Sequence, residues 1–288
     1  MLERAIELDP SFALPHAWLS DYYQSQGWWG SSRPHDVMPK SRAAAERAIE
    51  LDDTVGLAHG SLAIVHYFYE WNVRAAEREF DRAAGLDPGS AWIHMCRSLF
   101  FSCHRRRDDV ITEGRMALNL EPLDGLLAAW VASALVGVGE VEEAVSTIFK
   151  AIDMDQSHWH LQMFLGFAYL HSSREAQAAA ALERAVDLSG GASITLAVLA
   201  VAYHVIGKKS EADRLAERLE ERSKNEYVAP WLFALVSGVR GDKPAALAHL
   251  ERAVEEHDLF IATANLWPPQ AQLTGPEFDA ILRRTGLR

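Results

Sequence analysis

A phrase that recurs along the chain constrains its fold more than any other feature. Arg4-Ala-Ile-Glu-Leu-Asp-Pro10, Arg47-Ala-Ile-Glu-Leu-Asp-Asp53, Arg82-Ala-Ala-Gly-Leu-Asp-Pro88 and Arg184-Ala-Val-Asp-Leu-Ser-Gly190 are versions of one helix end. A fixed period of this kind marks an array of like units, each burying its apolar face only by stacking on the next. With Ala91 opening a unit, steps of 34 residues land on Gly125, Trp159, Ser193, Tyr227 and Ile261, and earlier starts fall at Ala13 and Gly56. The eighth residue of successive units is then Ser20, Ala63, Ser98, Ala132, Gly166, Ala200 and Ala234. The twentieth is Ser41, Ala76, Val110, Ala144, Ala178, Ala212 and Ala246, and the twenty-seventh is Ala48, Ala83, Ala117, Ala151, Ala185, Leu219 and Ala253. Small residues at fixed points on two helices let their backbones approach closely.

Larger side chains fill the spaces between: Leu19, Leu62, Val131, Leu165, Leu199 and Phe233 at the seventh position, and Tyr23, Phe101, Leu135, Tyr169 and Tyr203 at the eleventh. Pro10, Pro88, Pro122 and Gly190 stand where each second helix should stop, because proline cannot continue a helix and glycine closes one. Over nearly its full length the chain resembles tetratricopeptide repeat proteins. The resemblance implies an all-α, right-handed solenoid of helix-turn-helix units at 13–55, 56–90, 91–124, 125–158, 159–192, 193–226 and 227–260. Residues 1–12 read as the second helix of an incomplete unit, and residues 261–288 as a C-terminal cap with an amphipathic helix near Glu277 to Arg284, closed by Gly286.

Certain phrases resemble a narrower group, the repeat regions of bacterial multidomain signalling proteins that follow a TolB-like segment and an adenylate-cyclase, Ser/Thr-kinase or winged-helix output domain. They are Gly27-Trp28-Trp29, Lys40 to Asp53, Phe68-Tyr-Glu-Trp-Asn72, Ala76-Glu-Arg-Glu-Phe80, Leu188-Ser-Gly-Gly191, Gly241-Asp-Lys243 and Phe278 to Leu287. This resemblance implies a regulatory or scaffolding role without catalysis, with a protein, a peptide or an upstream domain of the same polypeptide as partner.

In tetratricopeptide solenoids the first helix of each unit lines a concave groove. Carried over position by position, the family pattern puts Trp92, Met95 and Leu99, then His160, Met163, Phe167 and His171, then Trp231 and Leu235, on that groove. Met and aromatic side chains suit adaptable contact with a helix or an extended segment. The competing reading is that a tight superhelix, the chain's own ends or a second copy covers these residues, in which case the array drives self-association as a homodimer. The fifth positions, Ala17, Gly60, Met95, Ala129, Met163, Ala197 and Trp231, hold no cationic donor, which argues against a clamp for a peptide's terminal carboxylate. The first unit exceeds the period by nine residues, between Trp28 and Lys40. Trp28 and Trp29 there either form a docking surface or pin the long loop to a neighbouring helix.

Composition narrows the function further. With 49% apolar and 24% charged residues among 288, the chain folds rather than remaining disordered. A net charge of −12 opposes the phosphate attraction behind most nucleic-acid binding. The longest apolar runs, Leu126 to Val138 and Ile194 to Ile206, have 13 residues each, short of the ~20 a membrane-spanning helix needs. No membrane insertion is expected, and with no apolar signal core in Met1 to Pro10 a cytoplasmic location is expected. Two cysteines make no disulfide framework. Cys96 and Cys103, seven residues apart on one helix, stand ~10 Å apart along its axis, too far to chelate one zinc ion with His94 or His104. Gly137-Val-Gly139 lacks a preceding strand and reads as a turn, not a dinucleotide loop. Arg105 to Arg107 read as a helix C-terminus followed by a capping Asp108. Neither a cofactor nor a metal is expected.

Overall fold

The computed structural model describes residues 2–29, 32–154, 158–264, 266–267 and 273–287. After a short α1 (Leu2–Leu8), antiparallel helices follow in pairs: α2 (Ala13–Trp28) with α3 (Pro34–Leu51), α4 (Gly56–Ile64) with α5 (Val73–Leu86), and α6 (Ala91–Cys103) with α7 (Arg107–Leu120). The pattern continues with α8 (Gly125–Gly137) and α9 (Val141–Met154), α10 (Trp159–His171) and α11 (Glu175–Leu188), and α12 (Ser193–Val205) and α13 (Lys209–Ser223). The last pair is α14 (Pro230–Val239) and α15 (Lys243–Glu255). A 3-10 turn at Leu259–Thr263 and α16 (Pro276–Arg283) complete the described chain, in which there is no strand.

Local chemistry sets the helix ends. The side chains of Asn72, Ser90, Asp124 and Asp242 accept backbone N–H bonds from the first turns of α5, α6, α8 and α15, satisfying donors that have no partner within the helix. Between the two helices of a pair the backbone passes through a left-handed residue: Arg105, Gly139, Ser173, Gly207 and Gly241, with φ between 55° and 87°. Glycine adopts this conformation freely, whereas arginine or serine costs roughly 1–2 kcal/mol there. Arg106 pairs instead with Glu77 and Asp109, and Arg107 with Glu140. The capping role expected of Asp108 is absent, since it lies inside the first turn of α7 and no side chain caps that helix.

Packing follows the small-residue register. Ala76, Ala83, Ala117, Ala132, Ala144, Ala185, Ala246 and Ala253 are all fully buried, so paired backbones meet without intervening bulk. At Gly166 a Cβ would fall 2.5 Å from Cγ of buried Leu182 in the partner helix, which is why alanine cannot stand there as it does in neighbouring units. In the first pair the contact is polar: Ser20 and Ser41 hydroxyls meet at 2.9 Å, and the Gln24 amide donates to Ser41 Oγ at 3.0 Å and to the Ser61 carbonyl at 2.8 Å.

Past α15, α16 packs against α15, and residues 256–264 and 266–267 turn back into the superhelix, the first stretch reaching its early units. Tyr67 donates its hydroxyl to the Ala262 carbonyl, His257 Nδ1 donates to the Tyr69 carbonyl, and the His257 ring stacks on Trp71 at 4.3 Å. His35 Nε2 donates to the Glu255 carbonyl while its Nδ1 accepts from the Tyr69 hydroxyl, which fixes its neutral tautomer. Helix α4 widens into a π turn at Val65–Tyr69 that presents these tyrosines.

Candidate functional site

The first helices of the pairs form the inner wall, and side chains fill its C-terminal half. Trp267 lies 5.3 Å from Phe167, 6.1 Å from Trp231 and 5.7 Å from Phe260 by ring centroids, with its Nε1 donating to Thr263 Oγ1. Asp258 accepts from the Trp231 and Phe260 amides, and His171 Nε2 donates to the Leu266 carbonyl. Here the structure corrects the groove expected from sequence. Met163, Phe167, Trp231 and Leu235 are buried, and His171 is held by the chain's own segment, so a ligand has no access to them while residues 256–267 are seated.

Trp28 and Trp29 pack against helices of other units and also line a cavity on the inner wall. Both turn into the superhelix and bridge distant units: Trp28 lies edge-on to Phe68, Trp130 and Phe260, and Trp29 to Trp159 and His160. The His160 ring also stacks on Trp159 at 3.7 Å, and its Nδ1 is buried without a hydrogen-bond partner. Burial lowers the His160 pKa to about 4, and nearby His158 adds to the effect. At neutral pH the ring is uncharged whether the chain is folded or not. As pH falls from ~6.5, the unperturbed histidine value, towards 4, the unfolded chain takes up the proton first and stability is lost. A denaturant midpoint that declines between pH 7 and pH 4.5, and declines less in His160→Phe, is the expected result; an unchanged slope would remove His160 from the account.

The N-terminal half of the inner wall stays open. A cavity of about 640 Å³ runs along α2, α4, α6 and α8, and Trp92, Met95 and Leu99 line it together with Trp28, Trp29 and Trp130. Of the groove residues named from sequence, these three line the open cavity, Leu99 from a buried position. Trp92 lies against Gly60, where a Cβ would meet its ring at 2.7 Å, so the absent side chain on α4 makes room for the indole. Gln24, which also lines the cavity, was not singled out from sequence, because the repeat pattern marks no polar residue at that position.

The thiols offer little chemistry. Burial raises the Cys103 pKa to about 12 and pushes Cys96 well up, with Asp21 nearby adding to the latter, so both stay protonated and weakly nucleophilic. Among the described residues no group of three or more His, Cys, Asp or Glu side chains is placed to hold a metal ion. Nor is any helix among them long and apolar enough to cross a membrane.

No family model matches the sequence, and no curated protein does. By structure the chain is similar to the type IV pilus biogenesis factor PilW, with a TM-score of 0.52 at 18% identity over 69% of this chain and 91% of PilW. It is similar also to human IFIT1, solved as a dimer with m7Gppp-AAAA, with a TM-score of 0.58 at 15% identity over 77% of this chain and 55% of IFIT1. YrrB, described as a TPR protein with an unusual peptide-binding site, aligns at 17% identity and a TM-score of 0.43 over 68% of this chain and 95% of YrrB. The fold is a tetratricopeptide solenoid. The chain spans a little over half of IFIT1. Within this solenoid the feature that sets the site is the division of the concave face, one half filled by the chain itself and one half open.

Proposed function

We propose that the chain is a non-catalytic interaction scaffold whose open half-groove receives a segment of a partner protein, or of an upstream domain of the same polypeptide. The observation that carries this reading is the cavity of about 640 Å³ with tryptophan and methionine walls. That volume falls within the ~300–1,000 Å³ typical of ligand sites, and its long apolar floor suits an extended or helical peptide better than a compact metabolite. A regulatory place in a bacterial multidomain signalling protein belongs to the same proposal and rests on the phrases quoted above; a cytoplasmic location is proposed with it. IFIT1 is solved with m7Gppp-AAAA; the charge of −12 on this chain favours a protein occupant instead.

Peptides selected from a random library on the intact chain provide the test. Met95→Glu places a charge on the cavity wall from a half-buried position and should weaken them at least tenfold, about 1.4 kcal/mol, with circular dichroism unchanged. Equal binding by the variant would remove the cavity as the site.

A second reading, self-association, draws on Leu8, Phe12 and Tyr22, which leave an exposed apolar face on α1 and α2. It requires a concentration-dependent dimer in light scattering that weakens when residues 1–12 are removed.

A further inference from the structure

The open cavity differs from the filled half of the groove in its charge. Asp21, Asp87, Glu121 and Asp124 line it, and among its described lining residues there is no lysine, arginine or histidine. Among the described residues no lysine, arginine or histidine forms an ion pair with these carboxylates. Arg97, Arg106, Arg107 and Arg115, the nearby cations of α6 and α7, are each paired with other acids: Arg97 with Asp81 and Glu113, Arg106 with Glu77 and Asp109, Arg107 with Glu140, and Arg115 with Glu143. Asp124 spends one oxygen on capping α8. Asp21 is half-buried in the cavity wall, and burial raises its pKa above the ordinary carboxylate value, as for an anion held away from water with no compensating charge. The other walls include the indoles of Trp18, Trp92 and Trp130.

Tryptophan faces and carboxylates together select one chemistry. A guanidinium stacks on an indole through cation–π attraction and donates to a carboxylate through a planar fork, whereas a phosphate or an acidic side chain is repelled by the same acids. We propose that this cavity binds an arginine side chain of an extended basic peptide, with the indoles taking the guanidinium face and Asp21 among the carboxylates taking its N–H groups. The proposal rests on the reading of the cavity as a peptide site and adds the charge of its occupant.

Tryptophan fluorescence titration of the intact chain tests it with three peptides of alternating leucine and a second residue: arginine, its neutral isostere citrulline, or glutamate. The arginine peptide should bind at least tenfold tighter than the citrulline peptide. Asp21→Asn should cut that ratio to threefold or less, with circular dichroism unchanged. Glu121→Gln, at an exposed position where misfolding is not a concern, should lower it as well, and added salt should weaken the arginine peptide alone. Equal binding of arginine and citrulline peptides, both lost in Met95→Glu, would overturn the arginine assignment and leave the peptide site standing. Preference for the glutamate peptide or for a short RNA would overturn the assignment, and no binding by any of these together with a stable dimer that buries the cavity would overturn both readings.

Discussion

Trp267→Ala should lower the unfolding free energy by about 3–5 kcal/mol, the usual loss when a buried aromatic side chain is cut back to a methyl group. Trp267 is almost wholly buried and touches Phe167, Trp231 and Phe260, which belong to two different helix pairs and to the returning segment. In an ordinary repeat array such a loss would be felt by nearest neighbours alone. Here His257 and Ala262 of the same segment also hold Tyr67, Tyr69 and Trp71 in the second pair, so the weakening should spread to the first units. Denaturant unfolding followed by circular dichroism and by tryptophan fluorescence should shift to lower midpoint in both signals together. A loss below 1 kcal/mol, or a shift in fluorescence alone, would show that the segment rests on the groove without holding it.

A replacement that makes the core more apolar should also destabilise. Gln24→Leu conserves volume at a fully buried position and would gain transfer free energy if nothing else changed. It also removes the donor that reaches Ser41 Oγ and the Ser61 carbonyl, and a buried acceptor left without its partner costs about 1–3 kcal/mol. Ser20 and Ser41 would still bond each other, and the Ser61 carbonyl keeps the Val65 N–H, which sets the expected net loss at the lower end, about 1 kcal/mol. Placing a shorter amide there with Gln24→Asn should recover little, because its side chain cannot reach both Ser41 on α3 and Ser61 on α4. A Gln24→Leu chain as stable as the parent would mean that Ser41 and the Ser61 carbonyl are satisfied by their remaining partners.

The solenoid was legible in the sequence because its determinants are local and repeated. Ala76, Ala144, Ala178 and Ala246 occupy one register, and each is buried against its paired helix for the same steric reason. The half-filled groove was not legible, because the residues that fill it are aperiodic. Ala262 bonds Tyr67 across 195 positions, and nothing in a 34-residue period marks either of them. The sequence places Met95 and Met163 at equivalent points of their units; the structure leaves one on the wall of an open cavity and buries the other completely, a difference set by the returning segment and not by the residues themselves. The pair Trp28 and Trp29 was conspicuous as an anomaly of the lengthened first unit, but its direction, inward to Trp130 and Trp159, depends on the curvature of the whole array.

That returning segment has a mechanical consequence. An open superhelix behaves as a spring, and it can adjust its pitch to ligands of different girth by small rotations at every joint. Here His257 and Ala262 clasp the second pair while Asp258 and Trp267 grip the last one, which clamps the spring at a single extension. The calibre of the open half-groove is thereby set before anything enters it, so the occupant proposed above would be selected by fit and charge and not by a superhelix wrapping around it.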